Sequence, residues 1–158
     1  MNTFKKVLSA ALVATLALAV VGCGGSSQPD QGSAEPGIAT QELSGASGAG
    51  FVATGNVSDT VTAQVTIAEG EAIVVMGQIE AGQVDVSITK DGEELSTDIL
   101  YEGSGYSEMG MEPGDYEVQF TVADATGSFY ALAFPAGQVD VTTMDTDEII
   151  ELVLGEVA

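Results

Sequence analysis

From Asn56 onward the chain alternates. Val61, Ala63, Val65 and Ile67 are interleaved with Thr62, Gln64 and Thr66, and Val84, Val86 and Ile88 with Asp85 and Ser87. Tyr116, Val118, Phe120 and Val122 are interleaved in the same way with Glu117, Gln119 and Thr121. Side chains of a strand point to opposite faces in turn, so a period of two means half-buried strands, a pattern no helix can satisfy. Ala72–Met76 is a short unbroken apolar run, consistent with a more deeply buried strand. Further strands are expected near Leu95–Tyr101, Ser128–Phe134 and Val139–Val141, with Gly103–Gly110 as a loop or short edge strand. The breaks carry turn chemistry. Lys90-Asp91-Gly92-Glu93 holds the Asp-Gly pair of a tight hairpin, Glu69-Gly70-Glu71 and Ala125-Thr126-Gly127 turn the chain, and Glu112-Pro113-Gly114-Asp115 places Pro and Gly at the two centre positions of a turn. The expected fold is all-β: an antiparallel β-sandwich, jelly-roll or Ig-like, of about seven to eight strands.

The last residues read two ways. Thr146-Asp147-Glu148 suits the start of a helix that would carry Ile149, Ile150, Leu152, Val153 and Leu154, and its acids complement the helix dipole. The same apolar residues also suit a strand; a short C-terminal helix is the favoured reading. Ala81-Gly82-Gln83-Val84-Asp85-Val86 recurs as Ala136-Gly137-Gln138-Val139-Asp140-Val141 with unmatched flanks. This echo reads as a turn followed by an alternating strand rather than as a duplicated unit.

The chemistry available to such a domain is narrow. The 158 residues include 24 acidic side chains and no histidine, and the basic side chains are Lys5, Lys6 and Lys90 alone, for a net charge of −21. That surface repels phosphate backbones and anionic headgroups, so neither nucleic acid nor electrostatic membrane binding is expected; the charge chiefly confers solubility. Without histidine there is no Ser-His-Asp triad, and with Cys23 as the single thiol there is neither an internal disulfide nor a zinc site of the usual kind. The domain must be held together by its core.

The N-terminus carries the strongest motif. Lys5 and Lys6 precede Val7–Val21, a run of 15 uncharged residues, and Val20-Val21-Gly22-Cys23 follows at its end. Such a run is short of the about 20 residues a membrane helix needs and suits the apolar region of a signal peptide. These four residues resemble the lipobox of prokaryotic membrane lipoproteins, with Val at position 20 where the family usually has Leu. The resemblance implies cleavage after Gly22, a thioether-linked diacylglyceryl group on Cys23, and a palmitate-bearing mature chain anchored to the extracytoplasmic face of the cell membrane. Two acyl chains suffice for stable anchoring where one does not. An ordinary signal peptide with an incidental cysteine and a retained membrane helix are the alternatives.

Gly24 to about Gly50 is rich in Gly, Ser, Ala, Gln and Pro. That composition reads as a flexible spacer with a reach of about 25–30 Å. The expected organisation is therefore a cleaved signal peptide over 1–22, a lipidated cysteine and tether over 23–55, and an acidic β-sandwich over 56–158.

Candidate sites within the domain are weaker. Tyr101 and Tyr106 flank a Gly-rich stretch and would form a small ligand platform, or else pack at a sandwich rim. Glu108, Glu112 and Asp115 around one turn, and Asp91, Glu93 and Glu94 on the hairpin, offer oxygen ligands of the type Ca²⁺ takes, though neither group has the spacing of a calcium loop and solvated acidic loops explain both. No cofactor is expected. Val61–Phe134, with its Gly82-Gln83-Val84-Asp85-Val86 strand, hairpin and Pro113-Gly114-Asp115-Tyr116 turn, resembles bacterial pre-peptidase C-terminal β-sandwich domains. That resemblance implies a jelly-roll-like accessory module without catalysis. Together these features suggest a lipid-anchored envelope protein displaying a non-catalytic interaction or ligand-binding module, its partner an envelope protein or glycan. A structural accessory of an envelope complex is the alternative. A carboxylate-based glycoside-active enzyme, stacking sugars on Tyr101, Tyr106, Tyr116 or Tyr130, comes third.

Overall fold

The computed structural model describes residues 35–157. Five strands and one helix follow in order: β1 (Gly37–Glu42), β2 (Gly48–Ile67), β3 (Glu71–Lys90), β4 (Glu93–Met109), β5 (Gly114–Pro135) and α1 (Thr146–Val157). All pairings are antiparallel, in the order β1-β2-β5-β3-β4.

This topology is possible only if the sheet is folded over. β2 and β3 both run antiparallel to β5 and hence parallel to each other, yet residues 68–70 alone connect them. A flat strand of 20 residues is about 66 Å long, and parallel neighbours ordinarily need a crossover of a dozen residues or more. The short link works because the strands bend midway, so that the end of β2 lies opposite the start of β3 in a second layer. Residues 110–113 link β4 to β5 in the same way. The rings of Phe120 and Phe129 confirm the bend: both are on β5, nine positions apart, and their centroids are 5.0 Å from each other.

The corner is written in backbone irregularities at one level of the sheet. Register shifts fall between Ala53 and Val57 in β2 and between Ile79 and Gln83 in β3. Gly55, Asn56, Gly82, Gly103 and Asp124 all have positive φ there. Bulges of this kind bend a strand and exchange its faces. In β5 the inward residues change from even (Tyr116, Val118, Phe120, Val122) to odd (Ala125, Phe129, Ala131, Ala133) on passing Asp124. Side chains tie the corner across β2 and β5: the Asn56 N–H donates to Thr126 Oγ1 (2.8 Å), which donates to Asn56 Oδ1 (2.7 Å), and the Asp124 N–H donates to Ser58 Oγ (2.9 Å). Gly82 has φ 76°, and a Cβ there would strike the carbonyl oxygens of Ala123 and Asp124.

The two layers differ, which explains the two kinds of apolar pattern. The second layer (57–67, 83–101, 114–123) buries one face and wets the other, hence the alternation. The first (37–54, 71–79, 103–109, 125–135) is covered on both faces along its centre, 72–77 and 129–134, while its outer strands stay partly exposed. Phe51, Val75 and Phe129 face the inter-layer core, while Val74, Met76, Leu132 and Phe134 face Ile149, Ile150, Val153 and Val157 of α1. A strand covered on both faces reads as an unbroken apolar run, as Ala72–Met76 does. Phe51, Phe120 and Phe129 form the centre of the inter-layer core, with the Phe51 ring 5.6 Å from each of the other two.

The all-β sandwich and the C-terminal helix are both present. The helix is capped by Asp145, whose carboxylate accepts from the Glu148 N–H (3.0 Å) while Glu148 accepts from the Asp145 N–H (3.2 Å), a reciprocal capping box. These expectations need correction. The seven to eight short strands are five, because four of them run through the corner and supply a segment to each layer; Ala125-Thr126-Gly127 is part of that corner and does not reverse the chain. Val139–Val141 is not a strand: Val139 is buried in the helix-side core, Val141 is exposed, and Asp140 holds a turn through Thr142. The two halves of the sequence echo share only a glycine of positive φ, Gly82 and Gly137. Finally, the sheet begins inside the expected tether. Residues 37–42 and 48–55 are strand, and their small side chains serve close packing: a Cβ at Gly50 would enter the Tyr130 ring, one at Gly48 would meet the Ala131 carbonyl, and the Gly45 N–H donates to the last carbonyl of α1, that of Val157 (2.9 Å).

Candidate functional site

Cys23 and the Val20-Val21-Gly22 motif lie outside the described residues. The candidates inside the domain are placed as follows. Tyr101 and Tyr106 stand on either side of the Gly103 bend in β4. Tyr101, paired with Gln83, is 62% exposed on the second layer, whereas Tyr106, paired with Met76, packs against the helix-side core. The bend separates them into different layers. Tyr106 donates to Glu108 Oε2 (3.1 Å), and burial, with the Glu108 charge beside it, pushes its phenol well above the ordinary tyrosine value.

The three turn residues make separate contacts, two of them through their carboxylates. Glu108 Oε1 accepts from the Gly137 N–H (2.9 Å), so this side chain clamps the β5–α1 connection to β4. Asp115 accepts from Thr66 Oγ1 (2.7 Å) across the β2–β5 pair. Glu112 contributes its backbone carbonyl, which accepts from the Tyr116 hydroxyl (2.6 Å). Among the described residues no group of three or more carboxylate, His or Cys side chains is arranged to hold a metal ion. On the hairpin, Lys90 pairs with Glu93 around a turn in which Asp91 and Gly92 both have positive φ (53° and 83°), as a two-residue I′ turn requires. Lys90 Nζ lies 5.0 Å from the centre of the Tyr116 ring.

Asp147, at the start of α1, accepts from the Ser104 hydroxyl and from Gln78 Nε2 (3.0 Å), docking the helix onto β3 and β4. Those hydrogen bonds, Ser104 first, hold its carboxyl below the ordinary value. Asp140 is likewise lowered, by the Thr142 hydroxyl and N–H and the Thr143 hydroxyl.

The surface feature that sequence patterning missed lies along the second-layer half of β4. This strand ends the sheet and pairs only with β3. It carries Leu95, Ile99 and Tyr101, exposed by 48%, 40% and 62%. Beside it, an open depression of about 530 Å³ is lined by Asp85, Ser87, Glu94, Thr97, Asp98 and Ile99, among others. Ile99-Leu100-Tyr101 is apolar throughout, so periodicity could not show that only Leu100 points inward; Leu100 lies over Gly77 and Gly105, where a Cβ would come within 3.0 Å and 2.8 Å of its methyl groups. A second depression, of about 420 Å³, lies between β1 and α1 and is lined by Gln41, Glu42, Leu43, Tyr130 and Leu154.

No family model matches the chain, and no curated protein does. Two solved structures are similar to it, one described as the Drosophila melanogaster CENP-C cupin domain and the other as its "cumin" domain. Each is 11% identical with a TM-score of 0.28; the match covers 70% of this chain and 82% and 85% of theirs, respectively. A likeness of that size bears on neither the function nor the fold of this chain.

Proposed function

We propose that this protein is a lipid-anchored envelope protein whose β-sandwich is displayed outside the membrane as a non-catalytic interaction or ligand-binding module. The observation that carries this reading is Val20-Val21-Gly22-Cys23 at the end of an uncharged run that follows Lys5 and Lys6. The only thiol of the chain stands where a lipobox needs it, behind a small residue and an apolar stretch too short to span a bilayer. Among the described residues no helix is long and apolar enough to cross a membrane, so anchorage on this reading rests on the acyl chains of Cys23. The sheet starts at Gly37, 14 positions after Cys23, inside the stretch that composition reads as spacer. On this reading the acidic surface of the sandwich is repelled by anionic lipid.

The test is metabolic labelling with palmitate in an expressing bacterium, with Cys23→Ser alongside. Labelling of the parent chain, and loss of both label and membrane fractionation in the serine variant, are the expected results. An unlabelled parent, or a serine variant that is processed and anchored normally, would overturn the proposal.

A further inference from the structure

We infer that the second-layer edge of β4, residues 93–101, is a docking surface for an extended cationic segment of another protein, which would add to the sheet as an outer strand. The inference rests on the reading of the domain as an interaction module and names its surface and partner chemistry.

Three observations converge on this edge. The first is backbone geometry. The Ile99 N–H donates to the Asp98 side chain (2.8 Å) on the open side of the sheet, and an incoming strand would take that carboxylate's place. Backbone groups alternate sides along a strand, so those of Thr97 and Tyr101 face the same way, offering an incoming strand a row of donors and acceptors. The second is apolar exposure. Leu95, Ile99 and Tyr101 stand out along this one edge. The opposite edge of the same layer, in β2, carries Thr60, Thr62, Gln64 and Thr66 instead, so the contrast between the edges is in side-chain polarity; each edge has an N–H held by the preceding aspartate, Thr60 by Asp59 and Ile99 by Asp98. The third is charge. Glu93, Glu94 and Asp98 lie on the β4 segment itself, Glu102 directly follows it, and Asp85 is on its neighbour, paired with Ile99. Such a strip repels a second copy of this chain, whose net charge is −21, and attracts a segment in which Lys or Arg alternates with apolar residues. The apolar side chains would cover Ile99 and Tyr101, and the cations, on the alternate face of the added strand, would lie on the side of Asp98, which pairs with Val86.

The experiment measures binding of a labelled ten-residue peptide of alternating lysine and valine to the full chain in non-ionic detergent, by fluorescence anisotropy, with an alternating glutamate–valine peptide as control. Three perturbations are applied. Thr97→Pro removes an outward N–H without touching the β3 ladder, Thr62→Pro does the same on the β2 edge, and a lysine–valine peptide N-methylated at alternate residues lacks half its donors. Binding of the lysine–valine peptide alone is expected, weakened about twofold to tenfold by Thr97→Pro through the loss of one backbone hydrogen bond, about tenfold or more by N-methylation through the loss of two or three, and unchanged by Thr62→Pro. Equal binding of the methylated peptide would reduce the effect to unspecific attraction and overturn the proposal. So would sensitivity to Thr62→Pro in place of Thr97→Pro. Sedimentation of the chain alone as a Thr97→Pro-sensitive dimer would overturn it in favour of a second copy. Because the methylated peptide is tested on the unmodified chain, the outcome stands even if Thr97→Pro fails to fold. Palmitate labelling of Cys23 is independent of all these results, so failure here leaves the anchoring intact, and failure there leaves the edge.

Discussion

The folded-over sheet predicts an energetic coupling that a flat one forbids. Phe120 and Phe129 lie nine positions apart on β5, about 30 Å along an extended strand. In the structure both are fully buried, with ring centroids 5.0 Å apart at an interplanar angle of 51°. Replacing either by Leu keeps the site apolar and nearly filled, at a cost of about 1–1.5 kcal/mol. The ring–ring contact adds about 0.5–1.5 kcal/mol beyond burial. Phe120→Leu, Phe129→Leu and the double variant should therefore be non-additive by about that amount, since the second substitution removes a contact already lost. Phe120→Leu with Phe134→Leu is the control. Phe134 is also on β5 but faces α1, and this pair should add to within about 0.3–0.5 kcal/mol. Urea unfolding followed by far-ultraviolet circular dichroism supplies the free energies. Additivity of Phe120 with Phe129, or a coupling to Phe134 of equal size, would refute the bent-sheet account of this core.

Other consequences follow from the corner, the helix and the charge. Gly82→Ala places a Cβ at φ 76° against the backbone of β5 and should cost about 2 kcal/mol or more, seen as a lowered urea midpoint, whereas Gly92→Ala at the open hairpin tip meets no neighbouring atom and should pay only the positive-φ strain of about 1–2 kcal/mol. Hydrogen bonds depress the Asp147 carboxyl below its ordinary 3.8, so its contribution is present above that pH and is lost as the pH falls through the lower folded value. Asp147→Asn should therefore show a shallower fall in melting temperature between pH 5 and 2, and an unchanged slope would refute the docking role given to this side chain. Lys90 is the only base among residues 35–157, which hold every acidic residue but Asp30. Added sodium chloride should therefore raise the melting temperature steeply from about 10 to 150 mM, the range over which the screening length shrinks from about 30 to 8 Å, and a flat response would show that self-repulsion is not limiting.

How far the chain could be read in advance depended on how local the governing physics is. Period-two alternation in Val61–Ile67, Val84–Ile88 and Tyr116–Val122, the Asp91-Gly92 turn and the acid-led start of the helix are set by neighbouring residues, and so were visible directly. Tyr101 and Tyr106 looked like partners because five positions is a short distance in sequence; the bend at Gly103 places them in different layers. Glu108, Glu112 and Asp115 looked like one cluster, but their oxygens are engaged with Gly137, Tyr116 and Thr66, contacts that composition cannot anticipate. Gly48 and Gly50 looked like spacer for a similar reason, since glycine required by close packing and glycine in a loose coil are indistinguishable by residue type.

By itself, the amino-acid sequence determined that the domain is β-rich, that its surface is strongly acidic, that it lacks the residues of triad and zinc chemistry, and that Val20-Val21-Gly22 stands before its single thiol. Each follows from side-chain identity or from a repeat only a few residues long. Tertiary structure alone decided that four strands cross a common corner, that one layer is covered by α1 while the other is wet, and that β4 ends the sheet with Leu95, Ile99 and Tyr101 uncovered. Those outcomes depend on which distant backbone segments pair and which small residues let them approach, and no local pattern encodes that choice.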